Sequence, residues 1–201
     1  MISPSSGVAV ARRPRLVFLV TEYYFFYAMQ KDLAPEAIRA AFDVQVVTYL
    51  GNSSGKPIPP DLTVIDFPWR RSKSLVMALL RFFPEFLRVR RLLGELKPDL
   101  LHNIAVKPSI LGTLAVWDLQ TRIVNTLTGL GFLFLARSPI ARLGQWFSLG
   151  ILGRAVKRRN ARIVVHNSVD RDFARDHFGP QNIHLIGGLR SEEHTSELQS
   201  H

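Results

Sequence analysis

Residues 98–115, Pro-Asp-Leu-Leu-His-Asn-Ile-Ala-Val-Lys-Pro-Ser-Ile-Leu-Gly-Thr-Leu-Ala, contain one complete step of the fold. Lys97-Pro98-Asp99 reads as a turn, Leu100–Ile104 as a short strand and Ser109–Leu119 as a helix. Between strand and helix lies Lys107-Pro108. A proline there starts a helix at no cost, because the N–H it lacks would have had no intrahelical partner.

The same step recurs on both sides. Upstream, Leu16–Val20 is a buried strand, Tyr27–Ala41 has helical spacing, and Val44–Tyr49 is a second strand. Gly51–Pro60 is a loop by its Gly, Ser and Pro content, and Leu62–Ile65 is a third strand. Ser74–Leu96 is helical in period with Pro84 inside it, which predicts a kink or a break. Downstream, Arg122–Leu127 is a strand leading into Thr128-Gly129-Leu130-Gly131, and Ile140–Asn160 is a helix. Ile163–His166 is a strand, Asn167 or Ser168 can cap a helix ending near Phe178, and Ile183–Ile186 is a last strand. Strands alternating with helices predict an α/β fold, a Rossmann-like doubly wound parallel sheet covered on both faces. Ligands in such sheets bind beyond the carboxyl ends of the strands. Functional weight therefore falls on Thr21–Phe26, His102–Lys107 and Thr128–Gly131.

The chain has 201 residues, enough for one α/β domain or one domain and part of another. Hydrophobic residues make up 47% and mean hydropathy is +0.09, yet no apolar run reaches the roughly 18 residues a spanning helix needs. With no cysteine, thiolate metal sites and disulfides are excluded, and a cytoplasmic location is expected. The net charge of +10 calls for an anionic partner: nucleic acid, an acidic membrane or a phosphorylated substrate. No recognised RNA-binding motif is present, and the apolar content points to lipid at least as strongly as to nucleic acid.

Three segments divide the chain. Residues 1–14 are expected to be a flexible leader, because Arg12 and Arg13 follow the apolar stretch instead of preceding it as in a secretory signal. Residues 15–189 are expected to form an incomplete domain. At Arg190 the pattern breaks into RSEEHTSELQS, which resembles, codon for codon, the translation of a common short-read sequencing adapter, so residues 190–201 are expected to be an artefact. Arg190–Ser200 carries one arginine against Glu192, Glu193 and Glu197, so without it the net charge is +12.

Candidate chemistry is sparse. The glycine loop Thr128–Gly131 can bring backbone N–H groups close to phosphate or sugar oxygens, or it can simply be a tight strand-to-helix connection. Lys107 can meet a phosphate or remain a solvated surface lysine. His102 reads as a packed, hydrogen-bonded core histidine in preference to a proton-transfer group. No His/carboxylate pair has the spacing of a zinc site, so no metal and no cofactor are expected. The helix around Leu79–Leu93 interleaves Phe82, Phe83, Phe86 and Leu87 with Arg81, Arg88, Arg90 and Arg91. Arg81, Phe82, Phe86, Arg88 and Arg91 are the expected contacts to an anionic bilayer, with a solvated core helix as the alternative. Lys157-Arg158-Arg159, with Arg154 and Arg162, can extend that basic surface.

In their order, RLVFLVTEYYFF (15–26), PDLLHNIAVKPSILGTLA (98–115), RIVNTLTGLGFLF (122–134), ARIVVHNSVDRDF (161–173) and NIHLIGG (182–188) resemble the N-terminal domain of bacterial family 4 glycosyltransferases of the GT-B type. The likeness is strongest to those extending lipid-linked polysaccharide or O-antigen precursors. Met29-Gln30 stands where several relatives have a histidine-arginine pair, and Thr128 where many have a histidine. The resemblance implies a retaining, metal-independent hexosyltransferase that moves sugar from a nucleotide-sugar to a polyprenyl-diphosphate-linked saccharide. It would work at the cytoplasmic face of the membrane, with the donor held mainly by a C-terminal domain, so this chain alone is expected to be inactive. The catalytic residues are left unassigned. Thr21, Glu22, Lys107, Thr128, Gly129 and Gly131 are expected to bind substrate in the interdomain cleft. A nucleotide-sugar 2-epimerase of the same fold, or a non-catalytic membrane-surface module, are the rival readings.

Overall fold

The computed structural model describes residues 12–30, 32–51, 55–69, 75–128, 130 and 139–187. Strands β1 (Arg15–Glu22), β2 (Asp43–Tyr49), β3 (Thr63–Asp66), β4 (Leu100–Ile104), β5 (Arg122–Thr126), β6 (Arg162–Val165) and β7 (Ile183–Leu185) form one sheet in the order β3-β2-β1-β4-β5-β6-β7. Every pairing is parallel. The helices are α1 (Tyr23–Gln30), α2 (Leu33–Arg39), α3 (Leu75–Leu96), α4 (Val106–Ala115), α5 (Pro139–Arg159) and α6 (Ser168–Phe178).

The alternation along β1 separates two cores. Leu16, Phe18 and Val20 pack with Tyr23, Phe26, Ala34 and Ala37 of α1 and α2. Val17 and Leu19 pack with Leu101 and Ile123, and with Val89, Leu93, Leu111 and Ala155 of α3, α4 and α5. A third cluster joins α5 and α6 to β6 and β7 through Leu152, Val156, Ile163, Val165, Ala174, Phe178 and Ile183. Residues 17–20 are fully buried, each contributing about 1.5–3 kcal/mol of transfer free energy. This run explains why β1 sits inside the sheet, between β2 and β4.

Several boundaries differ from the sequence reading. The predicted Tyr27–Ala41 helix is two helices, α1 and α2, and α1 begins at Tyr23 directly from β1. Tyr23 and Phe26 are buried there, so packing, with no Gly or Pro to break the chain, replaces the expected loop. Helix α3 continues through Pro84, whose ring lies on the exposed side. Helix α4 starts earlier and ends earlier than Ser109–Leu119. Asn167 is the cap of α6, its side chain accepting the Asp170 N–H. Arg12–Pro14 are tied to the domain: Arg12 pairs with Asp99 at 2.8 Å, and the Asp43 N–H donates to Pro14 O. The rest of the expected leader and residues 190–201 lie outside the described residues.

At the amino end of the sheet, Asp99 accepts the Arg15 N–H at 2.6 Å and the Arg12 guanidinium. These bonds, the Arg15 N–H first, hold the Asp99 carboxyl below the usual carboxylate range despite its partial desolvation. In mid-sheet, Asn103 and Asn125 are register partners and are fully buried, and Asn103 donates to Asn125 Oδ1 at 2.8 Å. A Cβ on Gly112 would lie 2.0 Å from Asn103 Oδ1, so glycine is what lets α4 lie this close to β4.

Candidate active site

β2 and β4 flank β1 on opposite sides, so the winding reverses at β1. The crevice beyond the carboxyl ends of β1 and β4 is the ligand position this topology provides. Thr21 and Glu22 are the last residues of β1, half-buried in the strand itself, whereas the sequence placed them in a loop. Lys107 follows β4 in the first turn of α4, and Thr128 follows β5, half-buried. Gly129 and Gly131 lie outside the described residues.

Ala105 makes the turn from β4 into α4 with φ 76° and ψ 164°, a conformation that costs an alanine roughly 1–3 kcal/mol. Its N–H donates to Thr126 O at 2.9 Å, and its carbonyl accepts the Ser109 N–H and hydroxyl at 3.0 and 2.8 Å. These bonds hold the residue in place. The turn starts α4 at the crevice with no side-chain cap and no acidic residue in its first turn. Uncapped N–H groups at the positive end of a helix are suited to an anion.

Lys107 does not project from this end into open solvent. Its Nζ lies 2.7 Å from Glu85 Oε2 of α3 and 5.3 Å from the Trp69 ring centroid. The Glu85 side chain is 3% exposed and that of Lys107 40%, so the lysine covers a carboxylate that α3 has carried into the core. Sequence reasoning missed Glu85, although a signal existed. It occupies the same helical stripe as Phe82, Val89 and Leu93, where a lone carboxylate needs a cation. Ala105 gave no signal, because strain is a property of the backbone.

His102 lies inside β4, not in the following loop. Its Nε2 is 2.7 Å from Thr126 Oγ1, and its ring leans on Phe18 with centroids 5.1 Å apart. Burial, with a smaller contribution from His166, depresses its pKa from 6.5 to about 4, so it is neutral at physiological pH. This matches the packed core histidine expected from sequence. His166, just past β6, pairs its Nδ1 with Ile186 O at 3.2 Å, and its Nε2 is buried with no hydrogen-bond partner among the described residues.

On α3, helical spacing sorts the expected membrane contacts. Phe82 and Phe86 face inward against the central core, and Phe82 meets Phe147 of α5 edge-on at 5.9 Å. Arg81 is half-buried, and Arg88 and Arg91 are exposed, with Arg91 paired to Glu95 at 3.0 Å. The outward apolar side chains among those described are Met77, Leu80, Phe83 and Leu87.

A Rossmann-like sheet with its crevice at this switch point is the architecture of the N-terminal half of a GT-B protein. Residues 15–168 match the family described as Glycosyl transferase 4-like, and the chain belongs to that family. Among solved structures it is similar to a sucrose-phosphate synthase structure from Thermosynechococcus elongatus, with 13% identity, TM-score 0.55, and coverage of 86% of this chain and 88% of that one. A second structure of that enzyme gives 14% identity and TM-score 0.54 over 86% of this chain, which spans only 48% of it. A UDP-GlcNAc 2-epimerase from Methanocaldococcus jannaschii gives 11% identity and TM-score 0.51 over 87% of this chain and 45% of its own. At these identities the likeness concerns the fold. No curated protein matches the sequence.

Proposed function

We propose that the protein to which this chain belongs is a retaining hexosyltransferase that moves a sugar from a nucleotide-sugar to a polyprenyl-diphosphate-linked saccharide in polysaccharide or O-antigen synthesis. It works without a metal or other cofactor at the cytoplasmic face of the membrane, and it does not bind nucleic acid. The observation that carries this reading is the family match across residues 15–168, which spans the whole crevice-forming part of the sheet. The chain's share of the work is the acceptor side, and alone it is catalytically silent.

In this reading the uncapped start of α4 receives the acceptor diphosphate, with Thr21, Glu22, Thr128 and the glycines at 129 and 131 around the saccharide. Lys107 contributes its backbone N–H at that helix start, while its ammonium balances Glu85. The acceptor hydroxyl attacks the anomeric carbon as the bond to the donor diphosphate breaks, and the departing diphosphate takes the hydroxyl proton. His102 is not the base, because its Nε2 is engaged by Thr126 and burial disfavours its protonated form.

Amide hydrogen exchange with a short-chain prenyl diphosphate tests the placement. Slowed exchange at Val106 and Lys107 is expected, and unchanged exchange there removes the phosphate site. The fold likeness to a UDP-GlcNAc 2-epimerase keeps a second reading in play. An epimerase would convert a nucleotide-sugar with no lipid acceptor, leaving all sugar label in the aqueous phase.

A further inference from the structure

We propose that α3 and α5 together form a bilayer-docking ridge, with Trp146 and Leu143 of α5 entering the headgroup boundary beside Leu80, Phe83 and Leu87 of α3. From the proposed function this takes only that the acceptor is held in a membrane. It assigns the contact to a surface that α3 alone does not provide.

Helix α4 packs against both helices, which meet at the Phe82–Phe147 contact. Outward from that seam the apolar side chains stand in the open: Leu80 is 67% exposed, Phe83 63%, Leu143 63% and Trp146 70%. Leu87 and Phe147 are also exposed. Scattered exposed apolar residues are ordinary, but large ones gathered on two helices that touch at an aromatic pair are not.

Charge selects the occupant. Helix α5 carries Arg142, Arg154, Lys157, Arg158 and Arg159 and no acidic residue. Helix α3 adds arginines at 81, 88, 90 and 91 against only Glu85, buried beneath Lys107, and Glu95, paired with Arg91. Arg90 is held by Asp118 at 2.8 Å, and the apolar side chains flanked by Arg81, Arg88 and Arg142 suit an anionic lipid surface, with the indole at the headgroup level and the arginines among the phosphates. No helix among the described residues is long and apolar enough to cross a membrane, so docking by this ridge is peripheral. The ridge also borders the crevice. Glu85, about one helical turn from Phe82, reaches Lys107 at the start of α4. A diphosphate anchored in the docked leaflet would therefore meet α4 near headgroup level.

The test is co-sedimentation of the 201-residue chain with vesicles of phosphatidylcholine alone or mixed with phosphatidylglycerol, without nucleotide-sugar. The expected result is binding to the anionic vesicles, weakened by salt and by Arg88→Glu/Arg142→Glu. Leu143→Ser/Trp146→Ser should reduce binding on the order of tenfold to a hundredfold. Trp146→Phe should retain binding but lose most of the fluorescence quenching by brominated acyl chains, since Trp69 is buried and Trp117 packs on the core. Wild-type chain left in the supernatant, or serine variants that bind like wild type, would overturn the ridge. So would a wild-type dimer that the serine variants turn into monomers, which would assign the face to a second copy. Because no sugar is present, these outcomes leave the transferase reading untouched, and failed transfer in detergent would leave the ridge untouched.

Discussion

Protonation of His102 should set the acid stability of the domain. The perturbation is a fall in pH from about 7.5 to about 5, the range in which an unfolded imidazole takes up a proton. The folded pKa of about 4 lies below the unfolded value of 6.5, so the unfolded chain binds more protons throughout this interval. Stability from this residue is therefore fully present above pH 6.5, is lost as pH falls towards 4, and levels off below that. Evaluating both titrations at about pH 7.5 and pH 5 gives a loss of about 2 kcal/mol from His102. Urea unfolding at the two pH values measures it, with His102→Gln as control: glutamine can still reach Thr126 Oγ1 but does not titrate. The wild type should lose about 2 kcal/mol more than the variant over the interval. Equal losses in both proteins would refute the claim that this imidazole is held neutral by burial.

Gly112→Ala should destabilise the domain by about 1–3 kcal/mol, because the new Cβ meets Asn103 Oδ1 and Leu19 where α4 packs on the sheet; thermal unfolding reads the loss. Asn167→Ala removes the acceptor of the Asp170 N–H and should cost about 1 kcal/mol in urea unfolding, while Asn167→Ser should retain most of that. Lys107→Met leaves Glu85 without its ammonium partner and should cost about 1–3 kcal/mol, part of which Glu85→Gln in the same protein should restore. If the double variant is no more stable than Lys107→Met, the pair does not stabilise the fold.

The sheet was legible because its strands are short apolar runs set between helical periods, and parallel pairing follows from the helical crossovers alone. Element ends were less so. Nothing local in Thr21–Phe26 distinguishes a loop from the direct passage of β1 into α1, which is settled by Tyr23 and Phe26 reaching the core. The aromatic residues of α3 were recognised as one group, but which of them face outward depends on where α4 and α5 lie. Trp146 and Leu143 carry no local signal that sets them apart from core residues of the same helix. At the site, the loops that matter could be named from topology. The geometry that gives them function could not, because it rests on the strained Ala105 and on a Lys107–Glu85 pair formed across helices.

The most direct measurement of the central claim is sugar transfer by the complete gene product in detergent, using a panel of labelled nucleotide-sugars and a polyprenyl-diphosphate-linked saccharide. The account predicts that one donor delivers its label to the organic, lipid-linked fraction with release of nucleoside diphosphate and retention at the anomeric carbon. Label confined to an epimerised nucleotide-sugar, or a panel left unconsumed, would contradict it.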